Sequence, residues 1–115
     1  MKYKYEIINT RKDGSHFKKI KLPIELSPVE VMLYDMEGFS NPIFIEHINE
    51  VLSGKVDFRQ HGGNIVDLEI RRDFTTVCNL FPRDKEVECI IETEELLKII
   101  ELWIDINRDL LRDFN

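Results

Sequence analysis

The chain has few of the residues that mark several protein classes. Its 115 residues include only two cysteines, Cys78 and Cys89, too few for a disulfide framework and without the spacing of a zinc site. No apolar run approaches the ~20 residues that a membrane-spanning helix needs. The first ten residues alternate charged and apolar side chains, unlike the continuous apolar stretch of a secretion signal. We therefore expect a cytoplasmic protein that has no membrane association, metal or cofactor.

Catalytic motifs are also missing. The three histidines, His16, His47 and His61, show neither HxH nor HxxxH spacing, and the serines lack the glycines of a nucleophile elbow. His61-Gly62-Gly63 lies between two predicted strands. We therefore assign its glycines to a hairpin turn that needs positive φ, in preference to a phosphate-binding loop. Neither cysteine has a base nearby in sequence. The sequence therefore predicts a protein that is not an enzyme.

Charge is distributed unevenly along the chain. The formal net charge is −6, yet residues 1–24 hold seven basic and two acidic side chains, a net of +5, which leaves −11 on the other 91 residues. The N-terminal lysines alternate with apolar residues, which is typical of an amphipathic hairpin whose lysines prevent edge-to-edge pairing. Because the rest of the chain is acidic, a nucleic-acid ligand is not expected, and the acidity suits either a basic partner or simple solubility.

Local patterns in the first half predict a hairpin followed by two helices. Alternation over 2–9 and 17–24, with Asp13-Gly14 between them, indicates two strands and their loop. Ser27 and Glu30 have the spacing of a capping box at the start of a short helix, which Gly38 and Pro42 would interrupt. The run from Val29 to Leu33 also fits a strand. Asn41-Pro42 opens a second helix, and Gly54 is placed to end it.

The second half predicts three antiparallel strands and a long helix. Strands over 56–60, 66–71 and 75–81 alternate apolar and polar residues, and the turns between them are tight. Thr93 is predicted to cap the last helix, whose apolar stripe is wider than a surface helix needs. One side of that stripe should lie on the sheet and the rest on another helix or a second chain.

The element order is therefore ββ-α-α-βββ-α. It predicts a single α+β domain over residues 1–115, in which helices pack on one face of an antiparallel sheet of about five strands. If the first two helices pack side by side, four of their acids would form one negative patch, with two aromatic residues beside it as anchors. We expect these residues to contact a partner: Asp35, Glu37, Glu46, Glu50, Tyr34 and Phe39.

The layout from Phe44 to Leu111 resembles that of small bacterial immunity proteins, of the kind encoded beside contact-dependent growth inhibition toxins and other polymorphic toxins. The resemblance is carried by the passage from Phe44 to Lys55, the hairpin from Gly63 to Ile70, the strand Thr75-Thr76-Val77, and the run from Cys89 to Leu96 that leads to Trp103. It implies a cytoplasmic, non-enzymatic protein that binds one cognate toxin domain, commonly a basic nuclease, and blocks its active site. Acids and aromatic anchors suit such an interface.

Two other hypotheses follow from the residues. Excess apolar surface on the last helix, at Leu102 and Ile106, would suit a homodimeric structural or regulatory subunit, so the chain is expected to be a monomer or a weak homodimer. A small hydrolase or nuclease would instead use His61 with Arg59 and a nearby acid.

Overall fold

The structure, a computed structural model, describes residues 1–9, 17–39, 42–82 and 87–111. Within these residues, short 3₁₀ turns lie at Ile24–Leu26 and Arg108–Leu110. The strands and helices follow in the order β1 (Glu6–Asn9), β2 (Lys18–Lys21), α1 (Ser27–Phe39), α2 (Ile45–Leu52), β3 (Phe58–Gly62), β4 (Val66–Arg71), β5 (Phe74–Asn79), β6 (Glu88–Glu92) and α3 (Thr93–Ile106).

The main sheet is an antiparallel meander in the order β3-β4-β5-β6. On β4, Val66, Leu68 and Ile70 are buried and face the helices, whereas Asp67 and Glu69 are half-buried on the opposite face. All three helices pack against the inner face of this sheet. The α+β class, with helices packed against antiparallel strands, is therefore confirmed.

The number of strands differs from the prediction. The described residues form six strands in two sheets, and β6 extends the predicted three-strand meander to four. Cys89 and Ile91 face the core, but Ile90 between them is also apolar and is 65% exposed on the other face. Because apolar residues occupy both faces, the segment lacks the alternation by which a half-buried strand is recognised.

The N-terminal hairpin forms a separate two-stranded sheet. Ile7 pairs with Ile20, but only Ile20 is buried, and Tyr5 and Ile7 of the predicted apolar face are exposed. Asn107 joins the hairpin to the end of α3, because its side chain accepts from Lys18 N–H at 2.6 Å and donates to Lys18 O at 3.1 Å. The predicted Asp13-Gly14 loop lies outside the described residues.

The predicted capping box does not explain how α1 begins. Ser27 has helical backbone angles, φ −55° and ψ −32°, because the preceding 3₁₀ turn runs directly into the helix. The Glu30 carboxylate accepts a hydrogen bond from Leu22 N–H at 3.0 Å, which ties α1 to the end of the hairpin. The helix has 13 residues in all and passes through Gly38, so it is longer than predicted.

The other two helices agree more closely with their predictions. Gly54 has φ 82° just after α2, as expected of a C-terminal stop. Thr93, however, is the first residue of α3 instead of its cap. Its hydroxyl donates to Arg71 O and lies 2.8 Å from the Thr75 hydroxyl, so it joins the helix to the sheet.

The wide apolar stripe of α3 is covered by several elements of the same chain. Leu96, Ile99 and Trp103 are fully or almost fully buried, and α3 packs against α1, α2 and the hairpin as well as the sheet. Leu102 and Ile106, the residues of the predicted dimer surface, are half-buried and pack against the core.

Candidate partner-binding site

A groove of about 530 Å³ lies between the hairpin, α1 and the end of β5. Its floor is apolar, formed by the buried side chains of Ile20, Leu33 and Trp103. Half-buried Val31 and Ile65 also line it. Concave apolar sites of this size take ligands or partner side chains in other proteins. The groove is therefore large enough to accept at least one amino-acid side chain.

Two aromatic rings lie in the lining of the groove. Tyr34 is 58% exposed and Phe81 is 68% exposed, so both rings are accessible to a partner. The ammonium of Lys19 lies 5.3 Å from the centroid of the Tyr34 ring, a cation–π geometry. The ring face of Tyr34 therefore accepts a cation within this chain.

Two carboxylates of α1 line the same groove. Glu30 and Glu37 lie on the helix face that carries Tyr34, at positions four residues before and three residues after it. Helical spacing thus places one aromatic residue between two acids. Two of the predicted contact residues, Tyr34 and Glu37, are brought together in this way.

Asp35, another predicted contact acid, lies inside the fold. Its side chain is only 4% exposed. Its Oδ2 accepts hydrogen bonds from the backbone N–H groups of Ile65 at 3.0 Å and Val66 at 3.3 Å. The carboxylate therefore fixes the turn between β3 and β4 against α1, and in this conformation it does not face a partner.

The position of the Asp35 carboxylate explains why residue 63 of that turn is a glycine. Among the described glycines Gly54 alone has a positive φ, so the prediction of positive φ at Gly62 and Gly63 is wrong. A Cβ at Gly63 would overlap the Asp35 carboxylate and come within 3.3 Å of Phe44 Cζ. Gly63 is therefore needed for space and not for backbone conformation.

Glu50 belongs to a cluster between α2 and β3. Its carboxylate lies 3.2 Å from an Arg59 guanidinium nitrogen and 3.3 Å from His47 Nδ1. The bond from Arg59 lowers the pKa of Glu50. The His61 ring lies 4.7 Å from that of His47 and edge-on to Phe44 at 5.2 Å, and burial followed by the charge of His47 lowers the pKa of His61. The structure thus brings His61 and Arg59 near an acid, Glu50, as the hydrolase hypothesis requires. In this position the three side chains join α2 to β3, an edge strand of the main sheet.

The remaining predicted contact residues lie apart from the groove lining. Glu46 is exposed on α2, and Phe39 is 38% exposed at the last residue of α1. Because Asp35 is buried and Glu50 is paired with Arg59, the four acids do not form one uniform negative patch. Tyr34 and Glu37 are the members of the predicted set that share a concave surface.

The outer face of the main sheet is a second exposed surface. No described helix covers it, and Phe58, Phe74 and Ile90 are exposed on it. Arg71 lies over the ring of Phe58, 5.0 Å from its centroid.

Comparison with known proteins identifies the family. No family model and no solved structure matches the chain. A protein of Bacillus cereus named "Immunity protein" is 34% identical over 115 residues, covering 98% of this chain and 93% of the relative. The chain belongs to the immunity proteins. An immunity function implies a protein partner, a toxin, and suggests a non-catalytic inhibitor.

Neither cysteine of the immunity protein has the environment of a nucleophile. Burial raises the pKa of Cys89 to about 11, and burial together with neighbouring acids raises that of Cys78. In the described part of the chain, no three His, Cys, Asp or Glu side chains are grouped to hold a metal ion. No helix within those residues is long and apolar enough to cross a membrane.

Sequence reasoning missed Lys19 and Phe81 in the groove of the immunity protein. Lys19 belongs to β2 and Phe81 follows β5, so only the folded chain places them beside α1. Phe81 gave no separate signal, because in the predicted strand 75–81 it is in step with Thr75 and Val77, which face the core.

Proposed function

We propose that this immunity protein binds and neutralises a cognate bacterial toxin domain of the contact-dependent growth inhibition or another polymorphic type. The observation that carries the proposal is the groove in which an exposed aromatic residue, Tyr34, stands between Glu30 and Glu37. Exposed aromatic residues beside concave apolar surface are typical anchors of protein interfaces. The contact surface extends from the groove along α1 to Phe39 and onto α2 at Glu46.

The proposed toxin surface is basic, as in the active site of a nuclease. The chain carries −11 outside its first 24 residues. Complementary charge accelerates association, which favours capture of a toxin before it acts. Inhibition then needs no chemistry from the immunity protein, because occupying the site that binds substrate phosphates excludes the substrate. The encounter would take place in the cytoplasm, where such a nuclease finds its substrates.

Growth rescue tests the proposal. A candidate toxin domain, sought among the genes that neighbour this one, is expressed from an inducible promoter in a sensitive host, alone or together with the immunity protein. Rescue by the wild-type chain, together with recovery of a purified complex of the two proteins, is the expected result. Rescue should be lost when Tyr34→Ala and Glu37→Lys are combined.

The control variant is Glu101→Lys, a charge reversal at an exposed position of α3 outside the groove lining. It should rescue growth as the wild type does. Failure of the wild-type chain to rescue growth, while both proteins accumulate in soluble form, would refute the immunity proposal for that toxin. Full rescue by the double variant would show that the contact surface lies elsewhere.

A further inference from the structure

We infer that the groove binds an arginine side chain, presented by the toxin. The source of the arginine rests on the proposed function. The chemistry of the groove does not, because it follows from the aromatic rings, the acids and the apolar walls described above. Arginine combines a planar cation with an apolar stem, and the groove offers a matching surface for each part.

The aromatic rings would take the guanidinium plane. Lys19 already lies over the ring of Tyr34, which shows that a cation fits there without rearrangement of the helix. Phe81 lines the same groove with a second exposed ring. A guanidinium stacks on such rings more favourably than an ammonium, since it is planar and weakly hydrated.

The carboxylates would take the guanidinium N–H groups. Glu37 lies one helical turn beyond Tyr34, and Glu30 lies one turn before it. Glu30 is oriented by the hydrogen bond from Leu22 N–H, and a carboxylate can accept several more bonds after this one. Either carboxylate can accept the paired N–H donors of a guanidinium, and the other adds charge attraction, since the two positions lie about 10 Å apart along the helix axis.

The apolar walls would take the methylene stem. Val31 and Ile65 line the groove above the buried floor. The stem of an arginine packs along apolar surface while its charged end stays with polar partners. A purely apolar side chain would fill the groove but would donate no hydrogen bond to either carboxylate. The groove therefore fits arginine better than leucine or phenylalanine.

Lys19 gives the inference an unusual consequence. Its ammonium occupies the ring face that the guanidinium would use, and it is a like charge in the same groove. Removing that charge while keeping an apolar chain, by Lys19→Met, should therefore tighten arginine binding. A merely apolar docking groove would respond to Lys19→Met equally with a charged and an uncharged probe, whereas the loss of a like charge should favour the charged probe.

The test uses two small probes of nearly equal shape, N-acetyl-arginine amide and its uncharged analogue N-acetyl-citrulline amide. Each is titrated into the full chain, and binding is followed by NMR at the Trp103 indole and the Ile65 methyl groups. We expect millimolar binding of the arginine probe and roughly five- to tenfold weaker binding of the citrulline probe. Tyr34→Leu and Glu37→Gln should weaken arginine binding, and Lys19→Met should strengthen it.

Glu101→Gln, the loss of one acid outside the groove, is the matched control and should leave binding unchanged. Equal binding of the two probes, or binding unaffected by both Tyr34→Leu and Glu37→Gln, would overturn the inference. The result is independent of toxin rescue. Probe binding without rescue would support the groove chemistry and refute the immunity proposal. Rescue without probe binding would support the immunity proposal and refute arginine binding in the groove.

Discussion

The carboxylate of Asp35 occupies the space that a side chain at Gly63 would need. Asp35 lies on α1 and Gly63 in the turn between β3 and β4, so the two residues fix the position of the turn relative to the helix. Because Ile65 of the same turn lines the groove, this internal contact also shapes the candidate site.

Gly63→Ala should destabilise the fold by about 1–3 kcal/mol, since the added Cβ displaces a buried carboxylate and its two backbone hydrogen bonds. The free energy of unfolding is measured by urea denaturation. Gly62→Ala is the matched control, because a Cβ there makes only an ordinary contact with Asp67, at 3.5 Å. In an Asp35→Ala background the Gly63→Ala substitution should lose most of its effect. Equal losses at Gly62 and Gly63 would contradict this account of the turn.

Thr93→Val should destabilise the fold by about 1–3 kcal/mol, because it leaves Arg71 O and the Thr75 hydroxyl without their shared partner. Thr93→Ser keeps the hydroxyl and should have a smaller effect. Combining Thr75→Val with Thr93→Val should be less damaging than the sum of the single changes, since the orphaned Thr75 hydroxyl is gone. Additive losses in chemical denaturation would show that the two hydroxyls are not coupled.

Stability should fall below about pH 6.5 partly through His61. Burial, followed by the charge of His47, lowers the pKa of His61 from 6.5 in the folded state. The unfolded chain therefore binds a proton at His61 more readily than the folded chain does. The contribution of His61 to the free energy of unfolding is full above pH 6.5, and it is lost as the pH falls toward the lowered pKa of the folded state. His61→Gln should flatten this part of the profile of unfolding free energy against pH.

Gln60→Ala, a neutral change at the preceding position of β3, should retain the slope of the wild type. An identical slope in His61→Gln would rule out a lowered pKa at this site. The same variant also addresses the hydrolase hypothesis, since the immunity proposal expects His61→Gln to rescue growth fully in the toxin assay.

Both thiols should react slowly with iodoacetamide in the folded protein. Burial raises the pKa of Cys89 to about 11, so little thiolate forms at pH 8, and the pKa of Cys78 is also raised. Mass spectrometry should show that both residues are alkylated after unfolding in urea. In the folded protein, Cys89 should be alkylated more slowly than Cys78. Equal rates for Cys89 in folded and unfolded chains would contradict its buried position.

Elements with one clear period could be predicted from the sequence. In β4 and α2 the apolar spacing matches a single buried face, because these segments pack on one side only. β6 could not be predicted in this way, since Ile90 is exposed between two inward residues. The capping roles assigned to Ser27 and Thr93 failed for a different reason, because the structure places both residues inside helices.

The candidate site could be predicted only in part. Tyr34 and Glu37 share a helix face, so spacing alone brings them together. The inward direction of Asp35 depends on where the turn containing Gly63 lies, and that is decided by packing between distant segments. Lys19 and Phe81 join the groove through the same long-range packing, which no local pattern encodes.

The most direct test of the immunity proposal is a calorimetric titration of the purified chain into the toxin domain identified in the rescue assay, with toxin activity measured on the same samples. We expect saturable binding and loss of toxin activity at saturation. Binding should weaken at higher salt and on Glu37→Lys, but should be unchanged on Glu101→Lys. A toxin that stays fully active in the presence of a large excess of the immunity protein would refute the proposed inhibition.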